Sequence, residues 1–372
     1  MSEMTDKITL SVTGDFCPEE LLLKSNPEAD KMLGGLAPVF RNADFNITNL
    51  ECPLTRSNTG SRKSGPHLKA GKETAALLRK LGFQAVTLAN NHIMDYGSEG
   101  LNDTLAALSE NGVLHTGAGQ DLREAGKPLI VEVKGKSVAL LNFASHEFSI
   151  AGKKKAGANP VNVIDNYRQI KDAKAVSDYQ IVIVHTGIEH YSYPTPGMQK
   201  LFRFYATLGV SAVVGHHSHC ISGYEVYNGV PVFYGLGNFI FKGESNSAAW
   251  NEGLVLQIDL CQSRGISFRV YRFRQVWKGD SLAMELLGSD LPEELNDEMV
   301  AIKWREHLRE SYKKRNMLNH LQRKGFLSRA LNRLFPCLVG RGIDPSYLNL
   351  LRNESNYEYL IDTLSEIVGE EL

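Results

Sequence analysis

The stretch VVGHHSHC, residues 213–220, sets three histidines within four positions directly after a short apolar run. Imidazoles so placed are either a solvated surface cluster or donors aimed at one metal, and the remaining donors must then come from elsewhere in the chain. Four other polar clusters offer them. Gly14-Asp15 follows one β-branched apolar run, Asn49-Leu50-Glu51 ends another, Asn90-Asn91-His92 follows a third with Asp95 three residues on, and His185 closes a further one. Neutral imidazoles mixed with carboxylates suit Zn²⁺, Mn²⁺ or Fe²⁺, whereas an all-oxygen set suits Mg²⁺ or Ca²⁺. Two metals about 3.5–4 Å apart need a carboxylate able to bridge them, and Asp15 and Glu51 are the carboxylates on hand. A single zinc needs only three or four donors and leaves the rest unexplained. Each residue alone also has a plain structural reading. Asp15 would cap a helix opening at Pro18-Glu19-Glu20, Asn90 and Asn91 would serve a turn, His185 would be a satisfied buried histidine, and His217 and His219 would sit on a wet loop. That reading requires five coincidences at matching positions.

The elements that must carry these residues follow from periodicity. Strands are predicted over 8–13, 44–50, 84–89, 137–144, 180–185 and 211–215. Helical spacing occupies 74–82, 101–112 and 198–209, each run ending in Gly as a helix stop should. Strands alternating with helices predict an α/β fold with a largely parallel inner sheet, and ligands in such sheets bind outside the carboxyl ends of the strands. All five clusters sit at such ends. Hairpins are expected at Lys134-Gly135-Lys136, at Asn228-Gly229 and between 253–260 and 266–273, so the sheets are mixed. Beyond residue 280 the texture is helical with no further strand, which divides the chain into a domain over 1–280 and a helical region over 281–372.

Bulk properties narrow the class. The chain has 372 residues, 42% hydrophobic and 22% charged, which excludes a disordered or fibrous protein. A formal net charge of −1 gives no global attraction to nucleic acid, and none specific is predicted. The five cysteines lack CxxC spacing, so a disulfide framework is not expected and a reducing compartment fits. The N-terminus has no signal-peptide pattern and no apolar run reaches spanning length, so a soluble, cytoplasmic protein is expected.

Substrate-side candidates come from the loops. The Gly/Ser-rich stretch 55–71 carries Arg56, Arg62, Lys63, His67 and Lys69, and either holds a phosphate or carboxylate polyanion or is an ordinary solvated loop. Tyr191 and Tyr193 are placed as a wall of the site, with Glu189 and Asn238 as supports of ligands. Between Met299 and Arg341 eleven Lys/Arg face two Glu, and apolar residues over 326–338 recur at helical spacing. Such a basic amphipathic segment, 320–340, either contacts an anionic membrane peripherally, holds an acidic polymer, or packs with a solvated basic face.

GDFCPEE, NLECPLT, LANNHIMDYG, HTGIEH and VVGHHSHCISGYEVYNGVPVFYGLGNFIF occur in this order within about residues 8–275. They resemble the bacterial capsule-synthesis CapA family, associated with poly-γ-glutamate production and itself similar to the calcineurin-like metallophosphatases. The resemblance implies a four-layer α/β/β/α sandwich of mixed sheets with a helical C-terminal extension. It implies two divalent metal ions (Mn, Zn or Fe), with Asp15 and His219 on one, Asn91, His185 and His217 on the other, and Glu51 bridging. His92 would stand by the substrate as proton donor or charge stabiliser for the leaving group, and Asp95 would orient it or cap a helix near Ser98. Cys17 occupies the place of the histidine in the metallophosphatase Asp-x-His motif, where a thiolate could ligate the metal or leave the site one ligand short. Glu51 replaces the bridging aspartate.

The function so implied is a dinuclear-metal hydrolase. A metal-bound hydroxide would attack a phosphoester-type bond of an anionic phosphoester or polymer, in capsule, poly-γ-glutamate or polysaccharide biosynthesis. Two alternatives stay open: a non-catalytic metal-binding subunit of a polymer synthesis and export assembly with partners there, and a phosphodiesterase or nuclease.

Overall fold

The computed structural model describes residues 7–18, 28–242, 247–279, 281–315, 353–355, 357–359 and 361–362. The basic segment 320–340 lies outside the described residues. Strands are numbered in chain order. The first sheet runs β16 (Ser281–Gly288), β15 (Gly265–Lys278), β14 (Glu252–Cys261), β1 (Lys7–Cys17), β2 (Phe45–Leu50), β3 (Ala85–Thr87), β4 (Leu114–Thr116), with β13 (Asn238–Phe241) alongside the end of β1. The second runs β11 (Tyr224–Tyr227), β12 (Val230–Phe233), β10 (Ala212–His216), β9 (Tyr179–His185), β7 (Lys136–Ala144), β6 (Leu129–Val133). A small ribbon pairs β5 (Ala118–Gly119) with β8 (Gly157–Ala158). The inner pairs β1–β2–β3–β4 and β7–β9–β10–β12 are parallel, and the outer hairpins are antiparallel.

Alternation along the strands builds the layers. Ile181 and Ile183 of β9 meet Ile8, Leu10 and Val12 of β1 between the two sheets. Val182 and Val184, one residue out of phase, face the opposite way onto α6 (Val163–Lys174) and α7 (Pro196–Thr207). The outer face of the first sheet packs on α1 (Ala29–Leu33), α2 (Ala37–Arg41), α3 (Thr74–Lys80) and α4 (Gly97–Glu110) through Leu33, Phe40, Leu78 and Leu101. The result is a four-layer α/β/β/α sandwich. Truncating a fully buried inter-sheet side chain such as Ile183 to Ala costs about 2–5 kcal/mol. The predicted helix stops hold: Gly82, Gly112 and Gly209 have φ of 90°, 63° and 70°, the left-handed conformation that ends a helix without a Cβ clash.

The described residues also form two short helices, α5 (Leu122–Ala125) and α8 (Ala248–Asn251), and one long helix, α9 (Asp297–Arg315). The expectation of no strand past residue 280 is corrected by β16, which forms a hairpin with β15 at the sheet edge. Only Leu282 and Met284 of SLAMELLG are buried while Leu286 and Leu287 are exposed, so its apolar alternation is brief and easily read as helix. No helix among the described residues is long and apolar enough to cross a membrane.

Candidate metal centre

Strand register aligns the polar clusters. In the first sheet Asp15 lies between Asn238 of β13 and Asn49 of β2, and Asn49 is in turn paired with Thr87 of β3. In the second, His216 pairs with His185. Asp15 stands inside β1 rather than after it, at a register shift against both neighbours. Such irregularities re-aim side chains next to functional sites. Gly14 is required by packing: a Cβ there would lie 1.8 Å from the Gly237 carbonyl oxygen, and the adjacent Asp15 N–H donates to that oxygen at 3.1 Å. The loop after β10 holds His217 and His219 at φ of 95° and 56°. Non-glycine residues in that region cost about 1–3 kcal/mol each and persist where surrounding structure imposes them.

Two buried donor groups result. Glu51, His185 and His217 offer ligand atoms within 4.8 Å of one another, and so do Asp15, Glu51 and His219. Glu51 belongs to both. Its Oε1 lies 3.2 Å from His185 Nε2 and 3.8 Å from His219 Nε2. Asn91 Oδ1 joins the first group at 3.0 Å from His185 Nε2. His216, named at the outset only as part of the cluster, brings Nδ1 within 3.2 Å of Asp15 Oδ1.

Electrostatics suit a cation. Burial, then the charge of Asp15 and of Glu189, push the Glu51 carboxyl well above the usual range. Burial also tends to raise Asp15, but His216, His219 and His185 outweigh it and hold that carboxyl well below the usual range. Burial lowers His185 and His219, so both favour the neutral imidazole that keeps a lone pair for a metal. Both Glu51 oxygens, both His216 ring nitrogens and His217 Nδ1 are buried with no hydrogen-bond partner among the described residues. Buried polar atoms are nearly always satisfied. A divalent cation fits this set of orphaned oxygen and nitrogen donors.

Neutral amides hold the donors in place, as expected for metal sites. The Asn238 amide oxygen is 2.9 Å from His219 Nδ1, which leaves Nε2 to face Glu51, and its Nδ2 is tied to the Trp250 carbonyl at 3.0 Å. Trp250 also packs against the His219 ring, tilted by 41° with the ring centres 4.9 Å apart. Asn49 Nδ2 donates to Asp15 Oδ1 at 2.7 Å and lies 3.2 Å from His185 Nδ1. Asn90 Oδ1 accepts the backbone N–H groups of His92 and Ile93, fixing the turn that presents Asn91 and His92.

His92 Nδ1 is 2.7 Å from Asp95 Oδ2. Asp95 does not cap α4, whose N-cap is Tyr96. It instead accepts from the Leu68 N–H at 2.7 Å and pairs with Lys63 Nζ, which is also 3.1 Å from His92 Nδ1. Lys63 and Asp95 are almost wholly buried, so a triad of imidazole, carboxylate and ammonium stands beside the donor groups.

Other candidates are engaged elsewhere. Arg56 pairs with Glu73 at 2.5 Å on the surface, His67 Nε2 meets the Ser61 carbonyl at 2.7 Å, and the Tyr193 hydroxyl donates to Glu293 at 2.9 Å. Cys17 is in neither donor group. The neighbouring Cys52, then burial, push the Cys17 thiol well above the ordinary range. Glu189 is near enough for its charge to act on Glu51 and His219. Sequence reasoning missed Asn49 as a ligand support, although it sits two residues before Glu51. It named Lys63 only as one cation of a loop, and it did not find Glu147, whose Oε1 is 3.6 Å from His217 Nε2.

A family model described as bacterial capsule synthesis protein PGA_cap matches residues 9–243. The PGA biosynthesis protein CapA of Bacillus subtilis is 33% identical over 242 residues, 63% of this chain and 64% of that protein. The capsule biosynthesis protein CapA of Bacillus anthracis is 30% identical over 247 residues, 63% of this chain and 60% of that protein. A probable polyglutamine synthesis accessory protein of Mycobacterium tuberculosis is 29% identical over 211 residues, covering 53% and 55%. The chain therefore spans less than two thirds of the length of these relatives. Among solved structures, the protein TT1561 of Thermus thermophilus is similar over 70% of this chain and 97% of that one, at 14% identity and a TM-score of 0.37.

Proposed function

The chain belongs to the bacterial capsule synthesis protein PGA_cap family, and on that footing we propose that it is a metal-dependent hydrolase acting on a phosphoester-type bond in capsule or poly-γ-glutamate synthesis. The observation that carries this reading is Glu51, whose two buried carboxylate oxygens have no hydrogen-bond partner among the described residues and which belongs to both donor groups. Asp15 and His219 would hold one divalent ion and Asn91, His185 and His217 the other, with Glu51 common to both. Bound there, such ions lower the pKa of water toward neutrality and offset charge that develops on the scissile group.

The remaining work falls to the chain. Asp95 fixes His92 through Nδ1, which leaves Nε2 to give a proton to the leaving oxygen. Lys63 clamps the other Asp95 oxygen, so the imidazole cannot swing away without breaking a buried pair. Divalent ions held by these donors would give the site the positive charge that favours an anionic substrate, either a phosphoester or an acidic polymer. The relatives' names, PGA biosynthesis and capsule biosynthesis, support placing the reaction in the making of such a polymer.

A second reading, a metal-binding subunit without catalysis, is favoured by one observation. Cys17, at the place of the histidine in an Asp-x-His motif, lies in neither donor group, so the Asp15 site has one donor fewer than that motif would supply. Elemental analysis of protein purified without chelator, followed by a screen of phosphomono- and phosphodiesters under Mn²⁺ and Zn²⁺, separates the two. About two metal equivalents with turnover that His92→Asn abolishes supports the hydrolase. Metal without turnover on any ester leaves the binding subunit, and no metal uptake sinks both.

A further inference from the structure

Residues 353–355, 357–359 and 361–362 lie outside the stretch matched by the family, yet they are fastened to the domain at several points. Asn353 Nδ2 donates to Glu147 Oε1 at 3.0 Å. Glu354 accepts the His146 backbone N–H at 2.9 Å and meets its Nδ1 at 2.5 Å. Glu358 accepts from Thr195 Oγ1 at 2.5 Å and from the Gly197 N–H at 2.6 Å, at the start of α7. Asp362 accepts from Trp304 Nε1 at 2.5 Å. Asn353 is buried, so its contact with Glu147 is shielded from water.

The first of these contacts leads into the metal centre. Glu147 Oε1 lies 3.6 Å from His217 Nε2, and the other nitrogen of that ring, Nδ1, is buried with no hydrogen-bond partner among the described residues. We infer that Glu147 is a positioning residue for the metal ligand His217, and that the C-terminal segment sets it through Asn353. This rests on the metal reading of the site. A carboxylate facing Nε2 favours the tautomer with its proton there, which leaves the lone pair on Nδ1 and fixes the ring plane. Asn353 and Glu354 grip two consecutive residues, Glu147 and His146, so the backbone that carries the carboxylate is held as well as the carboxylate itself. The relay serves one donor group. His219, in the other, has its own support from Asn238. The C-terminal segment thereby tunes the Glu51–His185–His217 site and leaves the Asp15–Glu51–His219 site alone.

The test uses full-length wild type, Glu147→Gln, Asn353→Ala and, as reference, His217→Ala. Each is stripped with chelator and titrated with Mn²⁺, free Mn²⁺ being read by electron paramagnetic resonance, and the metal-free melting temperature is recorded. Wild type is expected to take two ions. Glu147→Gln should weaken one of them by about 10–100-fold, the one His217→Ala loses, and spare the other. Asn353→Ala should weaken the same ion several-fold with its metal-free melting temperature unchanged. Two ions bound at wild-type affinity in both variants overturns the inference alone. Equal weakening of both ions together with a lower metal-free melting temperature also overturns it, since Glu147 would then only hold the fold. Wild type that takes no Mn²⁺ overturns the metal reading and this inference with it.

Discussion

Glu51 Oε1 lies 3.2 Å from His185 Nε2, and the two make no hydrogen bond. A carboxyl wholly inside the protein with neither oxygen satisfied loses its hydration without recompense, a cost of about 1–3 kcal/mol. The site is thus built against the stability of the metal-free fold. In chelator, Glu51→Met should unfold at higher urea concentration than wild type, by about 1–3 kcal/mol of unfolding free energy. Mn²⁺ or Zn²⁺ should raise the stability of wild type and leave the variant unmoved. A variant less stable than wild type in chelator would mean that Glu51 has partners its geometry does not show.

Two cations of one loop should differ sharply. The Lys63 side chain is 4% exposed and pairs with Asp95 at 0%, whereas that of Arg56 is 78% exposed beside Glu73. Breaking a buried pair strands a charge, so Lys63→Met should destabilise by about 3–5 kcal/mol. Arg56→Ala should cost under about 1 kcal/mol. Denaturant unfolding of the two variants side by side checks this, and equal losses would contradict the burial assigned to Lys63.

His92 touches the reacting groups in the proposed reaction but belongs to neither donor group. His92→Asn should keep the wild-type metal content and lose about 10²–10⁴-fold in turnover of a phosphoester. Asp95→Asn should lose less, because it acts through His92. Metal lost along with turnover would instead make His92 part of the ligand set.

On β4, away from the metal centre, burial lowers the pKa of His115, whose Nδ1 has no hydrogen-bond partner. The unfolded chain, with an ordinary value of about 6.5, then binds the proton more readily than the fold does. His115 therefore costs no stability above about pH 6.5 and loses stability as pH falls from there toward its lower folded value. His115→Asn should flatten the decline in unfolding free energy between about pH 7 and pH 5. An unchanged slope in the variant would assign that decline to other groups.

Local pattern was enough for the elements that hold the site. Short β-branched apolar runs located β1, β2, β7, β9 and β10 to within a few residues, because a strand between two packed layers must be apolar on both faces. Glycine stops ended three helices where backbone sterics require them. The clusters at strand ends, from Asp15 to His219, were legible because parallel strands bring their carboxyl ends to one edge. β16 was not, since only two of its side chains are buried and a short half-wet strand carries little signal.

What tertiary structure alone decided is which of many similar residues meets which. Lys63 and Arg56 lie seven positions apart in one polar loop, and nothing local tells that one is driven onto Asp95 and the other onto surface Glu73. Cys17 looks like a ligand by position, yet it lies in neither donor group. Glu147 reaches His217, and Asn353 reaches Glu147 across 206 residues. The amino-acid sequence by itself determined the donor types and the sheet edge that gathers them, because both follow from patterns a few residues long. The pairing of those donors, and their supports from distant loops, follows from the packing of two sheets against each other, which brings together residues with no local relation.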